Sequence, residues 1–121
     1  MDASGTPAQH VDVTALLAGQ PAGVLWSSTS QLQSNVVALP AGGTVAEHVE
    51  DALDVLLVVV AGGGRLTSSR PGGASSSSED ISAPAVCLLP AGTRRSLLAG
   101  PAGMVVVTAH RARPPFMPGR R

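Results

Sequence analysis

The sequence predicts an all-β domain closed as a small barrel or sandwich, and three features carry that prediction. Short apolar runs alternate with Pro/Gly-rich breaks, as the strands and turns of such an architecture require. No helical period separates the runs, which argues against alternating strands and helices. Aromatic residues are nearly absent (Trp26 and Phe116, with no tyrosine), so the core must be built from Val, Leu and Ala. β-branched Val favours a pleated surface over a bundle.

The elements follow in chain order. Residues 1–23 read as an N-terminal arm. Within it Asp12 precedes Val13–Ala18, a segment stopped by Gly19, Pro21 and Gly23; it is either one helical turn capped by Asp12 or an extended stretch. The barrel proper is expected over 24–110, with strands at Val24–Trp26, Asn35–Leu39, Val55–Val60, Ala85–Leu89 and Met104–Ala109. Val55–Val60 is apolar at every position, which predicts a strand covered on both faces. Gly62-Gly63-Gly64 reads as a hairpin turn. It is not a phosphate loop, since no Lys-Ser/Thr follows and no helix is signalled. Ser75–Ser78 reads as a polar loop or a plain edge strand. The tail 111–121 holds four of the eight arginines, and its prolines deny it regular pairing.

Composition narrows the function. A chain of 121 residues has room for one domain with one modest core. Its 44% hydrophobic and 13% charged residues exclude a disordered tail or a coiled coil. Eight basic and eight acidic residues balance, and with so few aromatics no nucleic-acid-binding surface is indicated. Cys87 stands alone in an apolar run, so no intramolecular disulfide forms and the thiol is expected to be a small buried hydrophobe. The first residues lack the basic and apolar regions of a signal peptide, and Val55–Ala61 is far too short to span a bilayer. No membrane association and a cytoplasmic location are therefore expected.

One constellation carries candidate chemistry. Pro-Ala-Gly recurs at 40–42 and 90–92, each time after an apolar run. Gly42 is followed by His48, Glu50, Asp54 and Gly62, and Pro84 by Pro90, Gly92 and Arg95. In spacing these resemble the two motifs of the cupin family, over roughly residues 34–110. Glu47-His48-Val49, Asp54-Val55-Leu56, the turn Pro90–Arg95 and His110-Arg111 further resemble small actinobacterial cupin-domain proteins. The resemblance implies a double-stranded β-helix of jelly-roll type, with two antiparallel sheets forming a conical barrel and ligand side chains pointing inward. His48 and Glu50, two residues apart, would face the interior together, Asp54 would join them, and Arg95 would come from a facing strand.

The family's metal ligands are largely replaced. His48 is kept, while Glu50, Asp54 and Arg95 stand where a histidine, a glutamate and a histidine are usual. Guanidinium is permanently charged and is no ordinary metal ligand. It would repel a metal and attract Glu50 and Asp54. Plainer roles stand beside these: His48 as a core or rim histidine, Glu47 and Asp51 as a solvated acidic loop, Arg94 and Arg95 in structural ion pairs, and His110 at the barrel rim.

Three functions compete. In the first, a binding module without a cofactor holds a small anion with Arg95 and His48. In the second, a metal-dependent dioxygenase or isomerase uses Fe, Mn, Ni or Zn on His48, Glu50, Asp54 and His110. In the third, a structural or oligomerisation domain has a filled barrel, closed by pairing of Glu50 and Asp54 with Arg95. A homodimer is expected, because cupin resemblance implies it and sheet edges need cover.

Overall fold

The structure, a computed structural model, describes residues 8–113. One helical turn, α1 (Val13–Leu16), precedes seven strands: β1 (Gly23–Thr29), β2 (Leu32–Leu39), β3 (Thr44–Val49), β4 (Val55–Ser69), β5 (Ser77–Ser82), β6 (Ala85–Leu89) and β7 (Arg94–Arg111). Every strand pairing is antiparallel. The chain is thus all-β, as the punctuation predicted, and of the jelly-roll type that the resemblance implied.

Two long strands organise it. β4 and β7 have 15 and 18 residues and pair with each other along both of their halves. The first half of β4 lies between β6 and the second half of β7, which in turn pairs with β2 and then β1. The second half of β4 lies between β5 and the first half of β7, which pairs with β3. Two sheets result, β1-β2-β7-β4-β6 and β3-β7-β4-β5, joined where β4 and β7 bend together.

That bend corrects the expectation for Gly62–Gly64. The glycines form no hairpin turn; they lie inside β4, where its register with β7 slips between Val59 and Ala61 and again between Gly62 and Gly64. Gly62 has φ +66°, and a Cβ there would sit 2.1 Å from the Gly103 carbonyl oxygen. A Cβ on Gly64 would sit 2.2 Å from the Leu98 carbonyl oxygen. Glycine is needed because two bent strands approach backbone to backbone.

The interior is aliphatic. Val55, Leu57, Val59, Leu66, Leu97, Met104 and Val106 pack there from both sheets, with Cys87 and Ile81 at their margin. The expectation that Val55–Val60 is covered on both faces is also corrected. Val55, Leu57 and Val59 are buried, whereas Leu56 and Val60 are exposed. They continue into Val86 and Leu88 of β6 as an outward aliphatic face, with Leu56 directly opposite Leu88 and Val58 opposite Val86.

Elsewhere the same outer face is covered by the N-terminal arm. Asp12 caps α1 by accepting from the Thr14 and Ala15 amides at 2.9 and 3.3 Å, so the helical alternative holds. Val11, Val13, Leu16 and Leu17 then pack over Val36, Ala38 and Val105. Among the described residues no helix is long and apolar enough to cross a membrane. The Pro-rich part of the tail expectation, from residue 114 onward, lies outside the described residues.

Candidate functional site

Strand alternation decides which side chains meet inside the barrel mouth. On β7, Leu97 and Ala99 belong to the interior cluster, so Arg95 shares their face. His48 on β3 lies directly opposite Arg95, after an irregularity between Val45 and His48 that restores the inward face. On the other flank of Arg95 is Ser68 of β4, itself paired with Ser77 of β5. One row therefore reads His48, Arg95, Ser68, Ser77 across this sheet.

The opposing sheet supplies a second polar group. Val37 and Leu39 of β2 and Met104 and Val106 of β7 face the interior; counting outward by twos gives Gln33, Asn35, Thr108 and His110. Asn35 Nδ2 donates to Thr108 Oγ1 at 3.3 Å, and Gln33 Nε2 to Asn35 Oδ1 at 3.1 Å. Gln33, Asn35, Thr108, Ser68 and Ser77 were not among the sequence candidates. The available signal was polar residues at 33 and 35 in phase with apolar 37 and 39.

Arg95 is the distinctive member. It is 7% exposed, and its hydrogen bond is from Nη1 to the Thr93 carbonyl oxygen at 3.2 Å. Burial lowers the pKa of its guanidinium from the ordinary arginine value. The expected pairing with Glu50 or Asp54 does not form, and among the described residues no carboxylate lies within ion-pair distance of Arg95. Glu50 pairs instead with Arg113, which returns past the end of β7. Asp54 is exposed and accepts the Ala91 amide at 2.8 Å, tying the β3–β4 connection to the Pro90–Gly92 turn. Arg94 points outward to Glu47 at 3.4 Å, as the ion-pair alternative for Arg94 anticipated.

The guanidinium is not sealed. Among the described residues no fully buried side-chain nitrogen or oxygen lacks a hydrogen-bond partner, so the Arg95 nitrogens not bonded to Thr93 retain some solvent exposure. His48 is exposed at the rim, its Nδ1 2.9 Å from the Ala46 carbonyl oxygen. His110 is half-buried on the opposing sheet, its Nδ1 2.7 Å from the Arg111 carbonyl oxygen. Burial, and secondarily the Glu79 carboxylate, pushes the Cys87 thiol above its ordinary pKa.

This donor set does not fit a divalent metal. Among the described residues no three His, Cys, Asp or Glu side chains converge. Glu50 and Asp54 are committed to Arg113 and Ala91, and the fourth position holds a cation.

Comparison with known proteins supports the architecture. No protein-family profile matches the chain, and no curated protein does. Among solved structures, BH2720 from Bacillus halodurans superposes with a TM-score of 0.70 at 21% identity, covering 97% of this chain and 88% of that one. A tryptophan-to-tyrosine variant of Bacillus subtilis oxalate decarboxylase superposes with a TM-score of 0.62 at 20% identity, over 67% of this chain and 21% of that one. Oxalate oxidase in complex with the substrate analogue glycolate gives 0.62 at 19% identity, over 71% of this chain and 44% of that one. A study of the B. subtilis decarboxylase describes Mn(II) centres in that enzyme. The chain therefore has the cupin fold. It spans less than half of each of the two oxalate enzymes.

Proposed function

We propose that this protein is a small cupin of the actinobacterial single-domain kind whose degenerate metal position has become an anion site. Arg95 binds a small anionic ligand at the barrel mouth, with His48 at the rim and no metal taking part. One observation carries this: Arg95 is nine-tenths buried, has no carboxylate partner among the described residues, and keeps donors that are unbonded and not fully buried. A buried cation without a counter-charge is costly, and an entering anion offsets that cost through charge-assisted hydrogen bonds strengthened by partial desolvation. Thermal melts with acetate, formate and phosphate at matched ionic strength test it. At least one anion should raise the Tm of the parent in proportion to its binding and leave Arg95→Met unmoved. Equal shifts in both proteins, or none in either, would overturn it.

The filled aliphatic interior also favours a scaffolding role, and the homodimer belongs with that second reading. The outer face of β4 and β6 carries Leu56, Val60, Val86 and Leu88, with no charge among them. A flat, uncharged sheet face of on the order of 300 Å² suits the same face of a second copy, as the core of an interface of standard size. Light scattering should show a dimer that Val86→Glu dissociates; a parent that is monomeric at micromolar concentration contradicts it. We place the protein in the cytoplasm, where a lone thiol stays reduced.

A further inference from the structure

Glu50 lies at the Arg95 end of its sheet yet pairs elsewhere. β3 sets His48 opposite Arg95 and Val49 opposite Arg94, and the Glu50 carbonyl oxygen then accepts the Gly92 amide at 2.8 Å. Glu50 is therefore level with Gly92 and Thr93, one diagonal step across the strands from Arg95. Diagonal neighbours stand about 7–8 Å apart, a gap that glutamate and arginine side chains together can bridge. The Arg95 guanidinium also folds back toward this end, since Nη1 donates to the Thr93 carbonyl oxygen. The Glu50 side chain is only 20% exposed, so its charge needs a partner. It takes Arg113, which is 57% exposed. Arg113 arrives from the facing sheet: the preceding residue, Ala112, donates its amide to the Gln31 carbonyl oxygen at 2.8 Å, just before β2.

We propose that Arg113 is a positioning residue for the anion site: by holding the Glu50 carboxylate, it keeps Arg95 free for ligand. This rests on the anion site proposed above and names what regulates it. Without Arg113, a four-fifths-buried carboxylate and a nine-tenths-buried guanidinium stand unpaired at one end of one sheet. Leaving both uncompensated is costly, and joining them satisfies both. Glu50 then acts as an internal ligand at high effective concentration, which an external anion must displace. Conversely, an anion on Arg95 repels Glu50 toward Arg113, so ligand and ion pair support each other.

Nuclear magnetic resonance titration with sodium acetate at constant ionic strength tests this on the parent, Arg113→Ala, Glu50→Gln and the double variant. Arg113 follows the last strand and is exposed, so its substitution leaves the strand pairing intact. If the released carboxylate fills the site about nine times in ten, Arg113→Ala weakens acetate binding roughly tenfold. In the Glu50→Gln background the same change should alter acetate affinity by less than about twofold, since no carboxylate is left to release. Arg113→Lys, which keeps a cation at that place, should retain most of the parent affinity. A field effect of the Arg113 charge would instead cost the same factor in both backgrounds. Equal losses in both backgrounds, or no loss in either, would overturn the role of Arg113 and leave the anion site standing. A parent that binds no acetate would overturn both.

Discussion

Replacing Arg95 by methionine should stabilise the ligand-free protein. Methionine keeps the length and aliphatic contacts of the side chain beside Leu97 and removes a charge held at 7% exposure with no carboxylate partner among the described residues. Sealing an unpaired ion costs several kcal/mol. Here the nitrogens beyond Nη1 retain some solvent exposure, so the recoverable part is about 2 kcal/mol. Added apolar burial contributes about 1 kcal/mol, and loss of the bond to Thr93 takes away about as much. The expected gain is about 1–2 kcal/mol, a rise in Tm of roughly 4–8 °C for a chain of this size. Urea and thermal unfolding in a low-salt buffer free of carboxylates and phosphate measure it. Pairing with Glu50 or Asp54, as the sequence suggested, would give the opposite sign, because removing one partner of a buried pair costs about 3–5 kcal/mol. A fall in Tm would refute the account of Arg95 as uncompensated.

Three further outcomes are expected. Gly62→Ala should lose at least about 3 kcal/mol or fail to fold, since its Cβ would meet the Gly103 carbonyl; Gly72→Ala, also at positive φ but with open space around it, should lose only about 1 kcal/mol, and urea midpoints compare the two. Asp54→Ala should cost about 1 kcal/mol by freeing the Ala91 amide, again read from urea midpoints, with no change in anion binding. The Cys87 thiol, raised by burial and then by Glu79, keeps its proton longer folded than unfolded, so stability should fall as pH rises above about 8.5 and level off beyond the folded pKa; Cys87→Ala should remove that alkaline loss in unfolding curves measured at stepped pH.

The strands were legible because their signals are local. Ala85–Leu89, read between two prolines, is β6 with the same bounds, and the runs at Asn35–Leu39, Val55–Val60 and Met104–Ala109 all fall within strands. Gly62–Gly64 misled because a glycine triplet serves a hairpin or a bend equally well. Only pairing of β4 with β7 on both sides of it, a non-local fact, distinguishes the two. The inward position of Arg95 opposite His48 followed from motif spacing, but its pairing did not. Arg113, 63 residues from Glu50, takes that carboxylate, and the Ala91 amide takes Asp54. The hydroxyls around Ser68 were hidden for another reason: Ser75–Ser78 read as a polar loop or a plain edge strand, and only the pairing of β4 with β7 on one side and β5 on the other sets Ser68 between Arg95 and Ser77.

Electron density around the Arg95 guanidinium, in crystals grown with acetate, shows whether this buried cation holds an anion. A planar anion should lie within hydrogen-bonding distance of the guanidinium nitrogens, with Glu50 still on Arg113. Density in which Glu50 or Asp54 occupies that position, or in which a metal sits on His48 with Arg95 turned away, would contradict it.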